Sequence, residues 1–115
     1  MEGLVYKILS PVTWTAAADA PFAPPAPVDV QDGYMHLSAA GQVAETLRLH
    51  FAGQDEIVLL EVDAVALGPD LRWEPSRGGA LFPHLYGDLP KSAVRKVWTI
   101  TRNPRGTFDL PAVLA

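Results

Sequence analysis

The segment Glu56-Ile57-Val58-Leu59-Leu60-Glu61-Val62-Asp63 sets the strongest constraint on the fold. Its apolar run predicts a strand near the centre of a sheet, covered on both faces. A chain built around such a strand needs apolar material on either side of it. This chain has 115 residues, nearly half of them apolar. That suffices for one domain, residues 1–115, with a real core, and it argues against disorder.

The remaining elements follow in order. Leu4-Val5-Tyr6-Lys7-Ile8-Leu9 reads as a first strand, with Lys7 facing solvent or a cleft. Ser10-Pro11 is a helix start, a hydroxyl cap followed by proline at the first helical position. The helix runs to about Ala18, with Trp14 as a core anchor. Pro21 to Val28 holds four prolines in eight residues and reads as a rigid extended connector, because proline lacks an amide hydrogen and fixes φ. Ser38 is placed as the cap of a second helix, Ala39 to about His50. Val43, Leu47 and Phe51 form its buried stripe with Ala40 and Ala44 beside them, and Gln42, Glu45 and Arg48 lie away from it. Leu67 to Asp70 is a turn. Leu71 to Glu74 is a short strand with Leu71 and Trp73 inward and Arg72 and Glu74 on the other face. Ala93 to about Thr101 is a last long strand. Asn103 to Gly106 is a turn from which Thr107 to Leu110 returns as a hairpin arm. Many strands and two short helices, not strictly alternating, make the fold class α+β.

Charge and cysteine content narrow the function classes. The chain has no cysteine, which excludes disulfides, thiolate metal sites and cysteine nucleophiles. The opening residues lack the basic start and long apolar stretch of a signal peptide. No run approaches the roughly 20 apolar residues of a membrane span. A cytoplasmic location without membrane association is the expectation. The formal net charge of −4 argues against non-specific nucleic-acid binding. Five basic residues, Lys91, Arg95, Lys96, Arg102 and Arg105, nevertheless follow Leu89 against one acid, Asp109. They serve either as solvated cations on an edge strand or as an anion-binding or protein-docking surface.

The candidate site centres on Asp32-Gly33-Tyr34-Met35-His36-Leu37-Ser38. A turn pair leads into a brief strand, whose alternation sends Met35 and Leu37 to the core. Tyr34, His36 and Ser38 share the other face. His36 and Ser38, with Arg72, Glu74, Arg77, His84 and Tyr86, assemble cation, carboxylate, imidazole and phenol groups. Such a set suits an anionic or nucleotide ligand, with arginine as a phosphate fork and rings for stacking. Gly78-Gly79 would let backbone amides approach. Each residue has a structural role as an alternative: a bonded strand histidine, a helix cap, an exposed Arg72–Glu74 pair or a packed Tyr86 ring. The three histidines, His36, His50 and His84, lack the spacing of a zinc protease, so no metal site is expected. No GxSxG, P-loop or GxGxxG motif occurs.

The motifs DGYMHLS, LRWEPSRGG and LFPHLYGDLP, with the opening VYKI, Trp14 and the HFAG end of the second helix, give the chain a family likeness. It resembles, over nearly its whole length, the bacterial and plant proteins grouped as domain of unknown function 952. The resemblance implies an ADP-ribosyltransferase-like fold, with two small, mostly antiparallel sheets making a split cleft. It implies His36 as the residue that holds an NAD ribose. Glu74 would bond a ribose hydroxyl and support the positive charge that develops as nicotinamide leaves. No HYE or RSE triad can be laid on the chain. No resident cofactor follows, and NAD or ADP-ribose enters as substrate.

Two functions are therefore carried forward. One is an enzyme acting on NAD or a related nucleotide, with His36 and Glu74 catalytic and Ser38, Arg72, Arg77, His84 and Tyr86 binding the ligand. The other is a non-catalytic module for a small anion or a protein partner, for which Arg95 and Lys96 offer a docking surface.

Overall fold

A computed structural model describes residues 3–114, except for the side chain of Arg77. Its first sheet is built on the predicted central strand. β1 (Leu4–Leu9) and β8 (Val94–Thr101) flank β4 (Glu56–Asp63), and both pairings are antiparallel. Alternation along β4 feeds two cores. Val58, Leu60 and Val62 join Val5, Leu9, Met35, Leu37 and Leu85 on one face. Ile57 and Leu59 join Tyr6, Ile8, Val43 and Leu47 on the other. Covering β4 from both sides removes its apolar area from water, at roughly 25 cal/mol per Å².

A second three-stranded sheet has the order β3 (Met35–His36), β6 (Leu81–Leu85) and β5 (Leu71–Pro75). His84 on its central strand stands opposite His36 on one side and Arg72 on the other. One backbone bridge, Tyr6 to Ser38, joins the two sheets. The α+β class is thereby observed, with the expected antiparallel pairing.

Among the described residues four α-helices occur rather than the expected two: α1 (Pro11–Ala16), α2 (Pro27–Asp32), α3 (Val43–His50) and α4 (Ala64–Leu67). There is also a third small sheet. The proline-rich connector is in part ordered structure. Its Phe22–Ala23, strand β2, pairs with Leu89–Pro90, strand β7. Pro27 opens α2 at a position where its missing amide hydrogen costs nothing. That helix ends on Gly33, whose φ of 84° is the left-handed conformation glycine adopts without steric cost. The Asp-Gly pair read as a turn is thus a helix terminus.

Two other assignments change. Ser38 does not cap a helix, because its backbone is committed to Tyr6 through two 2.8 Å hydrogen bonds. The chain passes instead through a 3-10 turn at Ala40–Gln42 into α3, and the Gln42 side chain accepts the Ala39 amide at 2.9 Å. Ala44 is exposed while Gln42 is half-buried, the reverse of the expected stripe edge. Trp73 is 42 % exposed because β5 is an edge strand. The returning arm is a single bridge, Arg102 to Phe108.

Among the basic residues after Leu89, Arg102 and Lys91 are tied to main-chain carbonyls, while Arg95 and Arg105 sit in exposed pairs and Lys96 lies over the Trp98 ring. Arg102 donates to the carbonyls of Phe51, Ala52 and Gln54 beyond α3, where a cation is favoured by the helix dipole. Lys91 donates to Ala17 and Ala18 beyond α1. Arg95 pairs with Asp63, and Arg105 with Asp109.

Candidate functional site

α2 exists in a form that buries a carboxylate. Asp29, in its first turn, accepts four hydrogen bonds. Oδ2 takes Lys7 Nζ at 2.7 Å and the Ala26 amide at 2.7 Å. Oδ1 takes the His36 amide at 2.9 Å and His36 Nδ1 at 2.7 Å. Lys7 Nζ also donates to the His36 carbonyl at 2.9 Å. The Lys7 and Asp29 side chains are 3 % and 1 % exposed. Burial alone would push the Asp29 carboxyl up. The Lys7 charge and the bonds from Lys7 and His36 outweigh it and hold the carboxyl below its ordinary value. Burial lowers the Lys7 ammonium, with Asp29 acting against that shift.

His36 is fixed at both ring nitrogens, since its Nε2 lies 3.0 Å from Asp32 Oδ2. Each ring nitrogen thus faces a carboxylate oxygen. Its neighbour is Tyr34, whose ring centroid lies 4.7 Å from that of His36, 4.4 Å from His84 and 5.1 Å from Tyr86. Arg72 continues the series, its guanidinium 4.7 Å from the Tyr86 ring centroid. Such spacings are those of favourable ring and cation–ring contacts.

Glu74 ties the far end together. Its Oε1 accepts His84 Nδ1 at 2.8 Å and the Tyr86 hydroxyl at 2.7 Å. Those two donors, Tyr86 first, keep its carboxyl below the ordinary value against the opposing effect of burial. The same bond, with burial and the Glu74 charge, raises the Tyr86 phenol. Burial, with the charges of Asp32 and Glu74, raises Tyr34.

A cavity of about 630 Å³ opens between β1, α2, β3 and the C-terminal half of α3. That is within the range of small-molecule sites. Ile8, Pro27, Val28, Leu37, Phe51 and Phe82 give it an apolar lining. Lys7, Asp32, Tyr34, His36, Ser38, Thr46, His50, Ser76 and His84 give it polar groups. The side-chain hydroxyls of Ser38 and Thr46 lie 3.1 Å apart, and Thr46 donates to the Gln42 carbonyl at 3.0 Å. Ser38 is therefore the donor between them.

Of the residues singled out from the sequence, His36, Ser38 and His84 line this cavity. Glu74, Tyr86 and Arg72 stand one, two and three contacts beyond it, in the series that begins at His84. The side chain of Arg77 lies outside the described residues. The sequence pattern leaves Lys7, Asp29, Asp32, Tyr34 and Thr46 out of the ligand-contacting set. Asp29 had a signal: Pro27 at a first helical position, an acid two residues on, and Gly33 after the last turn. The described residues hold no group of three or more acidic, histidine or cysteine side chains placed to bind a metal. None of their helices is long and apolar enough to cross a membrane.

Comparison with known proteins agrees with the sequence motifs. The family model "Protein of unknown function (DUF952)" matches residues 8–97. No curated protein matches. The crystal structure of protein CC0527 from Caulobacter crescentus is similar at 45 % identity and a TM-score of 0.89, over 96 % of this chain and 97 % of that one. Its solution NMR structure is similar at 46 % identity and a TM-score of 0.79, over 90 % of each chain. With the family model covering most of its length, the chain belongs to the DUF952 family of proteins of unknown function.

Proposed function

We propose that the cavity binds a small molecule of the nucleotide class, with NAD and ADP-ribose the first ligands to test. The observation that carries this reading is the ring of Tyr34 at the cavity wall, clustered with two imidazoles at 4.4 and 4.7 Å that are themselves 5.7 Å apart. A planar base or nicotinamide ring is the kind of group such a wall accepts by stacking. Arg72, at the outer end of the series, supplies a cation for a phosphate. The two three-stranded sheets meeting beside the cavity support a likeness to the split cleft of the ADP-ribosyltransferases. In that reading the face of the His36 ring, held by Asp29 and Asp32, packs against the ribose, while Glu74 supports developing positive charge through His84 and Tyr86. Such ligands are abundant in the cytoplasm, the location expected from the cysteine-free composition.

Calorimetry with NAD, ADP-ribose and adenosine nucleotides is the test. Micromolar to millimolar binding that weakens on His84→Ala is expected. No heat at millimolar ligand ends the reading. A second reading is favoured by the fixation of His36 at both nitrogens: a non-catalytic module that holds the same ligand without turnover. Under it Glu74→Gln leaves affinity unchanged and no product forms from NAD.

A further inference from the structure

The Glu74–His84 pair defines what the inner end of such a ligand must be. His84 is 6 % exposed at its side chain yet contributes to the cavity wall. Its Nδ1 is 2.8 Å from Glu74 Oε1, an oxygen that already accepts the Tyr86 hydroxyl. A carboxylate only accepts, so Nδ1 carries the proton, and in the neutral ring Nε2 is left as an acceptor. The cavity's other charges favour the same ligand group. The Lys7 ammonium is matched by Asp29 at 2.7 Å, and Asp32 adds a carboxylate beside His36. Against a phosphate the His84 edge itself offers an acceptor where a donor is needed, and the ammonium on the wall is already matched.

We propose that His84 reads the ligand with Nε2 as a hydrogen-bond acceptor, so that the group seated against it is a hydroxyl or N–H donor of ribose or polyol type and not a phosphate. Glu74 is the positioning residue that selects the tautomer. The proposal rests on the nucleotide-class reading and sharpens it: sugar hydroxyls go inward and phosphates outward, toward Arg72.

The test is nitrogen-15 NMR of the histidine rings in the ligand-free chain, followed by titration with adenosine and, separately, inorganic phosphate. The expected result is His84 with a protonated Nδ1 and a bare Nε2. Adenosine should shift the Nε2 signal while phosphate leaves it in place. Glu74→Ala should convert the ring to a mixture of tautomers, and His84→Gln should weaken adenosine binding tenfold or more. A protonated Nε2 in the free wild-type chain overturns the proposal whether or not Glu74→Ala folds. So does an Nε2 signal that moves with phosphate and not with adenosine, or with neither at millimolar concentration. If NAD and ADP-ribose fail to bind while adenosine binds at His84, the nucleotide reading falls and this one stands.

Discussion

Two of the carboxylate–imidazole pairs in one small sheet and its flanking helix, Asp29–His36 and Glu74–His84, are built in opposite senses. In the first, Asp29 is the buried partner at 1 % exposure and His36 the accessible one at 33 %. In the second, His84 is buried and Glu74 is the accessible partner at 36 %. The contact distances, 2.7 and 2.8 Å, are nearly equal. What differs is which group has lost its water. A buried carboxylate must be satisfied on every lone pair, and Asp29 therefore gathers a lysine, two amides and an imidazole. It joins β1, α2 and β3, and both nitrogens of its histidine are spent. A buried imidazole with one nitrogen held leaves the other without a carboxylate partner. The first pair thus joins three elements of the fold, and in the second the imidazole lines the cavity while its carboxylate does not.

The largest test of this contrast is removal of Asp29. Asp29→Ala leaves the Lys7 ammonium buried without its counter-charge and should cost about 3–5 kcal/mol. Urea denaturation should show a large fall in midpoint at unchanged slope. Lys7→Met combined with Asp29→Asn should recover part of the loss, with a coupling of about 0.5–3 kcal/mol between the sites. Additive effects would mean that the two residues do not act as a pair.

The same carboxylate sets an acid limit. Its folded-state value lies below the ordinary one, so its contribution is fully present above the unfolded value of about 3.9. That contribution fades as pH falls through the lower, folded value. Asp29→Asn should differ most from wild type at neutral pH, with the gap narrowing below about pH 4. A gap that is constant with pH would assign the loss to packing instead.

A third carboxylate contact serves as a control away from the sheet that carries both histidines. The Tyr6 hydroxyl donates to Glu61 Oε2 at 3.0 Å between buried strands β1 and β4. Burial first, then the bond to Glu61 and its charge, push Tyr6 up to about 12. Its contribution is present below the unfolded value of about 10 and is lost as pH rises toward about 12. Tyr6→Phe should cost about 1–3 kcal/mol at neutral pH, because Glu61 loses a donor. It should also flatten the alkaline loss of stability. Ligand binding in the cavity should stay as in wild type. A change there would erase the distinction between core and site.

The parts of this arrangement that were legible from sequence are those fixed by local pattern. The run from Glu56 to Asp63 announced a central strand because no other local structure buries so continuous an apolar stretch. Alternation around Met35 and Leu37 put Tyr34 and His36 together on one face. Ser38 was misread because its cap propensity is a local preference, whereas its partner, Tyr6, is 32 residues away in sequence. The helix at Pro27–Asp32 was hidden by proline density, although proline at a helix start obstructs nothing. Strand alternation alone places Lys7 toward solvent or a cleft. Nothing near it in sequence announces that Asp29, 22 residues on, would meet it. The site divides in the same way: the groups were nameable from pattern, but which of them lost its water depended on distant packing.

The smallest expected effect isolates the second pair. Tyr86→Phe removes one of two donors to Glu74 Oε1 and leaves the bond from His84. Both Glu74 and Tyr86 have substantial solvent contact, so the denaturation midpoint should move no more than its experimental scatter. The Tyr86 bond is the leading reason that the Glu74 carboxyl lies low. Its loss should therefore move the carboxyl titration, followed by carbon-13 NMR of Glu74, upward toward the ordinary value. Because His84 still donates through Nδ1, its tautomer should not change. An unmoved carboxyl would show that Tyr86 does not reach Glu74 in solution. A changed tautomer would show that the phenol, and not the acid alone, decides which nitrogen of His84 carries the proton. Either outcome would alter the second pair without touching the first, whose carboxylate is closed off by Lys7, the Ala26 amide and His36.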